Sequence, residues 1–88
     1  MGEYQVVFAR SARRELEVLS QPTIGRILPR IEALARQPRP RGVLKLHGSK
    51  DLWRIRVGDF RVLYRVDDRR RLIDVIAIGN RKEIYRTH

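Results

Sequence analysis

The sequence predicts an α+β fold: an N-terminal strand, a helical hairpin, then a three-stranded antiparallel meander, with the helices packed on one face of the sheet. Three observations predict it. A short alternating apolar segment opens the chain. Two stretches with apolar residues at helical spacing follow. Three further strand-like segments then occupy the C-terminal half, two of them joined by Gly58-Asp59.

Residues 3–9 alternate, with Tyr4, Val6 and Phe8 on one face and Gln5 and Val7 on the other, which is a strand pattern. Ser11 is the candidate N-cap of a first helix, in which Ala12, Leu16 and Leu19 recur at helical spacing through residue 20. Pro22 suits the first turn of a second helix, where its missing N–H is not needed. Ile24, Ile27, Leu28, Ile31, Leu34 and Ala35 form the apolar stripe of that helix, with Arg26, Arg30 and Arg36 off it. Pro29 lies inside the stripe and predicts a kink or a late start, because an interior proline loses a hydrogen bond and crowds the preceding turn.

Pro38 and Pro40 end the helix, and residues 37–51 read as a basic loop carrying Arg39, Arg41, Lys45 and Lys50. In residues 52–57, Trp53, Ile55 and Val57 face one way and Arg54 and Arg56 the other. Gly58-Asp59 is a two-residue hairpin turn. In residues 60–66, Phe60, Val62, Tyr64 and Val66 face one way and Arg61, Leu63 and Arg65 the other. Tyr4, Trp53 and Tyr64 are read as core. Asp67-Asp68-Arg69-Arg70 makes the next turn, and Asp59, Asp67 and Asp68 are read as turn residues. Residues 71–78 are nearly all apolar, so this strand is expected to be central, with Gly79 stopping it.

Eighty-eight residues indicate a single domain, residues 1–88, and 42% hydrophobic residues suffice for one core. The absence of cysteine excludes disulfides and thiolate metal sites. No carboxylate pair or histidine cluster suggests a metal, and no glycine-rich phosphate loop is present, so no cofactor is expected. The histidines are His47, read as a loop residue, and His88 at the terminus, which leaves no His–His ribonuclease pair. No apolar run approaches the roughly 20 residues of a bilayer span. Residues 1–8 lack the pattern of a signal peptide, so a cytoplasmic protein with no membrane partner is expected.

Charge is the strongest compositional signal. Twenty Lys and Arg face ten Asp and Glu, for a net +10. The lysines are Lys45, Lys50 and Lys82, so the remainder of the basic residues are arginine, whose planar fork suits phosphate. Basic residues run through both halves of the chain, so the charge decorates the folded domain and points to RNA or another polyanion.

The strand phases concentrate that charge. A hairpin turning at Gly58-Asp59 places residue 57 opposite 60, 56 opposite 61 and 54 opposite 63. Arg54, Arg56 and Arg61 then share a face, with Arg65 further along it. Like charges so placed repel, which an anionic partner would relieve. The alternative is a solvated face with arginine stems lying over apolar surface. Burying bare guanidinium groups is too costly, so this face is expected to meet water or a polyanion.

The runs Lys45-Leu46-His47-Gly48, Leu52-Trp53-Arg54-Ile55-Arg56, Phe60-Arg61-Val62-Leu63-Tyr64 and Gly79-Asn80-Arg81-Lys82-Glu83-Ile84-Tyr85 carry a family likeness across nearly the whole chain. In this order the sequence resembles the RelE toxins of bacterial toxin–antitoxin systems, within the RelE/ParE superfamily. The resemblance implies a RelE-like microbial RNase fold. It implies an endoribonuclease that enters the ribosomal A site and cuts mRNA there, leaving a 2′,3′-cyclic phosphate and a 5′-hydroxyl. It implies a cognate RelB-like antitoxin that neutralises the toxin, with operator DNA bound only through the antitoxin complex.

The resemblance assigns catalytic roles to Arg54, Arg56, Arg61, Arg81 and Tyr85. Three guanidinium groups suit the charge that develops on a phosphorane. Tyr85 is the candidate base, if neighbouring cations lower its pKa from about 10; the alternative for Tyr85 is packing of the C-terminal segment. Arg81 is ranked as an electrostatic aid to the leaving 5′-oxygen, since an arginine surrenders its proton reluctantly. Lys45, Lys50, Arg65 and Lys82 join Arg54 and Arg56 as candidate RNA-binding residues. Two departures from the family pattern stand out. Arginine occupies positions 54 and 56 where relatives often carry lysine, and Asn80 stands where many carry histidine.

Two other readings remain open at the level of sequence. One is a ParE-like toxin that inhibits DNA gyrase on the same fold, for which no catalytic Arg–Tyr set is needed. The other is a non-catalytic module that binds RNA or the ribosome.

Overall fold

The computed structural model describes residues 3–48 and 51–80. Strand β1 (Gln5–Phe8) leads into helices α1 (Arg10–Glu17) and α2 (Gln21–Glu32), which ends in a single 3-10 turn, Ala33–Ala35. Strands β2 (Leu44–Lys45), β3 (Leu52–Val57), β4 (Phe60–Asp67) and β5 (Leu72–Asn80) follow. They form one five-stranded sheet in the order β1-β5-β4-β3-β2. β1 runs parallel to β5 and all other neighbours are antiparallel.

The expected α+β layering is present, with the helices against one sheet face. Ala12, Ile27, Ile31 and Leu34 meet Ile55, Val62, Tyr64, Val66, Ile73, Val75 and Ile78 in one buried cluster. Each Leu, Ile or Val among them contributes about 1.5–3 kcal/mol when fully removed from water. The apolar run in β5 is explained by its interior position, with β1 on one side and β4 on the other.

Several local expectations are corrected. Ser11 does not cap α1; the N-cap is Ala9, which has no side-chain cap, and Ser11 lies within the helix. Ser20 caps α2 instead, its Oγ accepting from the Thr23 N–H at 3.3 Å, with Pro22 in the first turn as expected. The late start does not occur, for α2 runs from Gln21 to Glu32 with Pro29 inside it. A proline ring crowds the carbonyl four residues back, here that of exposed Gly25, where water can take the lost hydrogen bond. The basic loop contains a strand, β2, and Gly79 does not stop β5, which continues through Asn80.

Tyr64 is fully buried, and its hydroxyl donates to the Pro38 carbonyl at 2.6 Å. That bond anchors the loop after α2 onto the sheet. Beside it, Arg39 donates to both carboxylate oxygens of Asp68, at 3.3 and 2.8 Å, and the Tyr4 hydroxyl donates to the same carboxylate. Asp67 behaves as the expected turn residue, accepting from the Arg70 N–H at 3.0 Å. Asp68 does more, joining Tyr4 just before β1, the loop and the β4–β5 turn. The Arg39 and Tyr4 hydrogen bonds hold its carboxyl below the ordinary range. Their stabilisation is therefore present above its unfolded pKa and lost as pH falls through the folded one.

Gly58 has φ of +62°, and it is the first residue of the turn that pairs Val57 with Phe60. Nothing lies within 4 Å of where its Cβ would be, so the demand for glycine is conformational. Gly58→Ala is expected to lower the unfolding free energy by about 1–2 kcal/mol, measured by urea denaturation. Tyr64→Phe should cost about 1–2 kcal/mol through the orphaned Pro38 carbonyl. Burial pushes the Tyr64 phenol well above its usual range, with the Arg39 charge opposing weakly. Stability is then complete below the unfolded tyrosine pKa and declines as pH rises past about 10, because only the unfolded chain ionises there. Tyr64→Phe should flatten that alkaline decline; an unchanged slope would exclude the buried phenol as its source.

Candidate functional site

The candidate site lies on the sheet face away from the helices, and the backbone register builds it. Arg56 on β3 stands directly opposite Arg61 on β4, and Arg54 opposite Leu63. Side chains of directly paired residues share a face, so Arg54, Arg56 and Arg61 lie together as the sequence implied. On the next strand Arg61 faces Gly79, which has no side chain to crowd it.

The three guanidinium groups differ in setting. Arg56 is exposed and its Nε donates to the Gly58 carbonyl at 3.2 Å, holding the side chain against the hairpin turn. Arg54 is half-buried. Arg61 is only 7% exposed, and its Nη1 donates to the Phe60 carbonyl at 3.4 Å. The expectation that every arginine of this face meets water or a polyanion, with none buried, is thus corrected for Arg61. Arginine keeps its charge in such a setting. In a site with little water that charge acts on an anion more strongly than in bulk solvent.

Beside the cations lies an apolar patch that the sequence reading did not single out. Leu63 and Ala77 are buried on this face, with Leu46 and Leu52 packed against them. Residues 71–78 are nearly all apolar, so the sequence carries no phase for Ala77. The phase also changes within β5. Leu63 faces Ala77 while Tyr64 faces Val75, so Ile76 is an extra residue, a β-bulge.

The remaining candidates divide. Arg65 lies on the expected face, but its Nε is 3.7 Å from the Asp51 carboxylate, and Asp74 stands opposite it. Arg65 thus has carboxylates of the protein itself as neighbours, in an exposed ion pair. Lys45 pairs with Trp53 and so belongs to the opposite face from Arg54. There Lys45 and Arg39 lie over the Trp53 ring, 5.8 and 5.1 Å from its centroid. Lys50, Arg81, Lys82 and Tyr85 lie outside the described residues. His47 is exposed in a turn. Among the described residues no group of three or more His, Asp or Glu is placed to hold a metal ion. The arrangement can therefore hold an anion and stabilise added negative charge on it.

The comparisons agree with this architecture. The model of the family described as the ParE toxin of the type II toxin–antitoxin system parDE matches residues 6–85. No curated protein matches the sequence. Among solved structures, the archaeal RelE of the RelE–RelB complex from Pyrococcus horikoshii is 30% identical, with a TM-score of 0.80 over 92% of this chain and 98% of that one. In the RelBE2 toxin–antitoxin complex from Mycobacterium tuberculosis, the matched chain is 27% identical, with a TM-score of 0.78 over 90% of this chain and 99% of that one. The isolated RelE toxin of E. coli is 25% identical, with a TM-score of 0.79 over 96% of this chain and 93% of that one. This chain belongs to the RelE/ParE superfamily of toxins of type II toxin–antitoxin systems, and it has the fold of a RelE-type toxin.

Proposed function

We propose that this toxin is a ribosome-dependent endoribonuclease that cuts mRNA in the A site. The observation that carries the reading is the placement of Arg54, Arg56 and Arg61 on one sheet face, with Arg56 opposite Arg61. The RNA 2′-hydroxyl attacks the adjacent phosphorus, the phosphorane gains negative charge, and the 5′-oxygen leaves. The products are a 2′,3′-cyclic phosphate and a 5′-hydroxyl. Fixed guanidinium charges serve such a reaction because they stand ready where charge develops. On the family likeness, Tyr85 takes the 2′-hydroxyl proton and Arg81 assists the leaving oxygen.

The partners proposed with this reading are the ribosome with its mRNA, in the cytoplasm, and a RelB-like antitoxin. Several similar structures are complexes of RelE with RelB, which supports the second partner. Operator DNA is reached only through the antitoxin complex. Lys45, Lys50, Arg65 and Lys82 were also candidates for RNA contact. The ion pair of Arg65 and the facing of Lys45 favour Arg54 and Arg56 over those two.

A second reading, gyrase inhibition, is favoured by the match to the ParE family model. Primer extension on mRNA in a translating extract separates the two. The nuclease reading expects A-site cuts that Arg61→Ala reduces by about 100-fold or more and that Tyr85→Phe and Arg81→Ala also suppress. Loss of supercoiling by gyrase without any RNA cleavage would establish the other reading. Binding with neither activity would leave the toxin a non-catalytic module.

Salt dependence tests the sorting of cations. For a single-stranded RNA oligonucleotide, Arg56→Ala should reduce the log–log salt slope by about 0.7, the value for one lost phosphate contact. Arg65→Ala should change it less, because Asp51 already answers that charge. Equal effects of the two substitutions would overturn the distinction.

A further inference from the structure

β1 ends before β5 does. The last backbone bond between that edge and β5 runs from the Ala9 N–H to the Val75 carbonyl, at 2.8 Å. Among the described residues no strand lies beside the β5 edge beyond Val75, and its polar groups need partners. Helix α1, which follows β1 directly, supplies them from side chains. The Ser11 hydroxyl donates to the Ile76 carbonyl at 3.4 Å. The Ile78 N–H donates to Glu15 Oε1 at 2.8 Å. Ser11 and Glu15 are four residues apart and so lie on one helix face. Ala12, between them, is fully buried.

One of these bonds is made at the bulge residue itself, on the Ile76 carbonyl, and the other two residues after it, on the Ile78 N–H. Carried on without a bulge, strict alternation from inward-facing Val75 would turn Ala77 and Gly79 toward the helices. It would put Ile76 and Ile78 on the guanidinium face. With the bulge, Ala77 and Gly79 stand opposite Leu63 and Arg61, and Ile78 stands opposite Val62 in the core. Glu15 grips the backbone of Ile78, the residue immediately before Gly79. A charged acceptor makes this the stronger of the two bonds.

We propose that Glu15, assisted by Ser11, is a positioning residue of the candidate site: its carboxylate on the Ile78 N–H holds the bulge that sets Gly79, rather than an isoleucine side chain, against Arg61. The effect on RNA cleavage rests on the nuclease reading; the effect on register does not. Glu15 touches no reacting group and acts only through the β5 backbone. Its neutral isostere keeps an amide oxygen that can accept the same bond.

The experiment compares wild type, Glu15→Gln and Glu15→Ala in two measurements. The first follows backbone register by NMR, through hydrogen exchange at the Ile78 amide and the cross-strand contact between Arg61 and Gly79. The second measures kcat and KM for mRNA cleavage on programmed ribosomes. Glu15→Ala is expected to remain folded, lose protection at Ile78 and weaken the Arg61–Gly79 contact. Its kcat should fall by about 10- to 100-fold with KM little changed, as for a misplaced catalytic group. Glu15→Gln should restore both. Register unchanged in Glu15→Ala would overturn the proposal whatever the activity, as would a lost register with undiminished kcat. A wild-type protein that cuts no RNA, yet shows a register dependent on Glu15, would remove the nuclease reading and uphold the positioning of Gly79 by Glu15. If Glu15→Ala unfolds, Glu15→Met, which keeps the bulk of the side chain but cannot accept the bond from the Ile78 N–H, supplies the same comparison, and an unchanged Arg61–Gly79 contact with unchanged Ile78 protection there would refute the lock.

Discussion

Coverage of one sheet face by the two helices is the constraint from which the placement of charge follows. Ile27, Ile31 and Leu34 press on Ile55, Val62, Tyr64, Ile73 and Val75, and no charged side chain can share that layer without a large desolvation cost. Because strand residues alternate, each apolar position committed to the core commits its neighbour to the other face. Arg54, Arg56 and Arg61 are the neighbours of Trp53, Ile55, Val57 and Val62. Their grouping is therefore a consequence of core packing as well as of any ligand they serve.

The net charge of +10 overstates how much of the basic surface is available to a polyanion. Arg39 and Asp68 are committed to joining the loop, the residue before β1 and the β4–β5 turn. Arg65 answers Asp51, and Lys45 lies over Trp53 on the helix side of the sheet. What distinguishes the Arg54–Arg56–Arg61 group is concentration on two adjacent strands, with one member almost buried. A shielded guanidinium interacts more strongly with an anion than an exposed one does. It is also held in place by its surroundings, which limits the side-chain entropy lost when an anion binds.

Family and mechanism stand on different supports. The fold and the family match extend over nearly all of the chain. RelE and ParE toxins share that fold, so the architecture does not choose between cutting RNA and inhibiting gyrase. The choice rests on particular side chains, and the arginine group on β3 and β4 is the part of the proposed catalytic set that belongs to the described residues.

Legible in the sequence were β1, the two helices and the three long C-terminal strands, the pairing of β3 with β4 and the common face of Arg54, Arg56 and Arg61. Those depend on local periodicity and on a two-residue turn, both of which are written in consecutive residues. Only the tertiary structure decided that β1 lies parallel beside β5, that β2 extends the far edge, and that Arg61 is buried while Arg65 is paired. Only it decided the phase of β5, because an unbroken apolar run carries no alternation to read and its bulge is stabilised by Ser11 and Glu15, some sixty residues earlier in the chain. Contacts between distant segments leave no local pattern, and here they set which residues face the site.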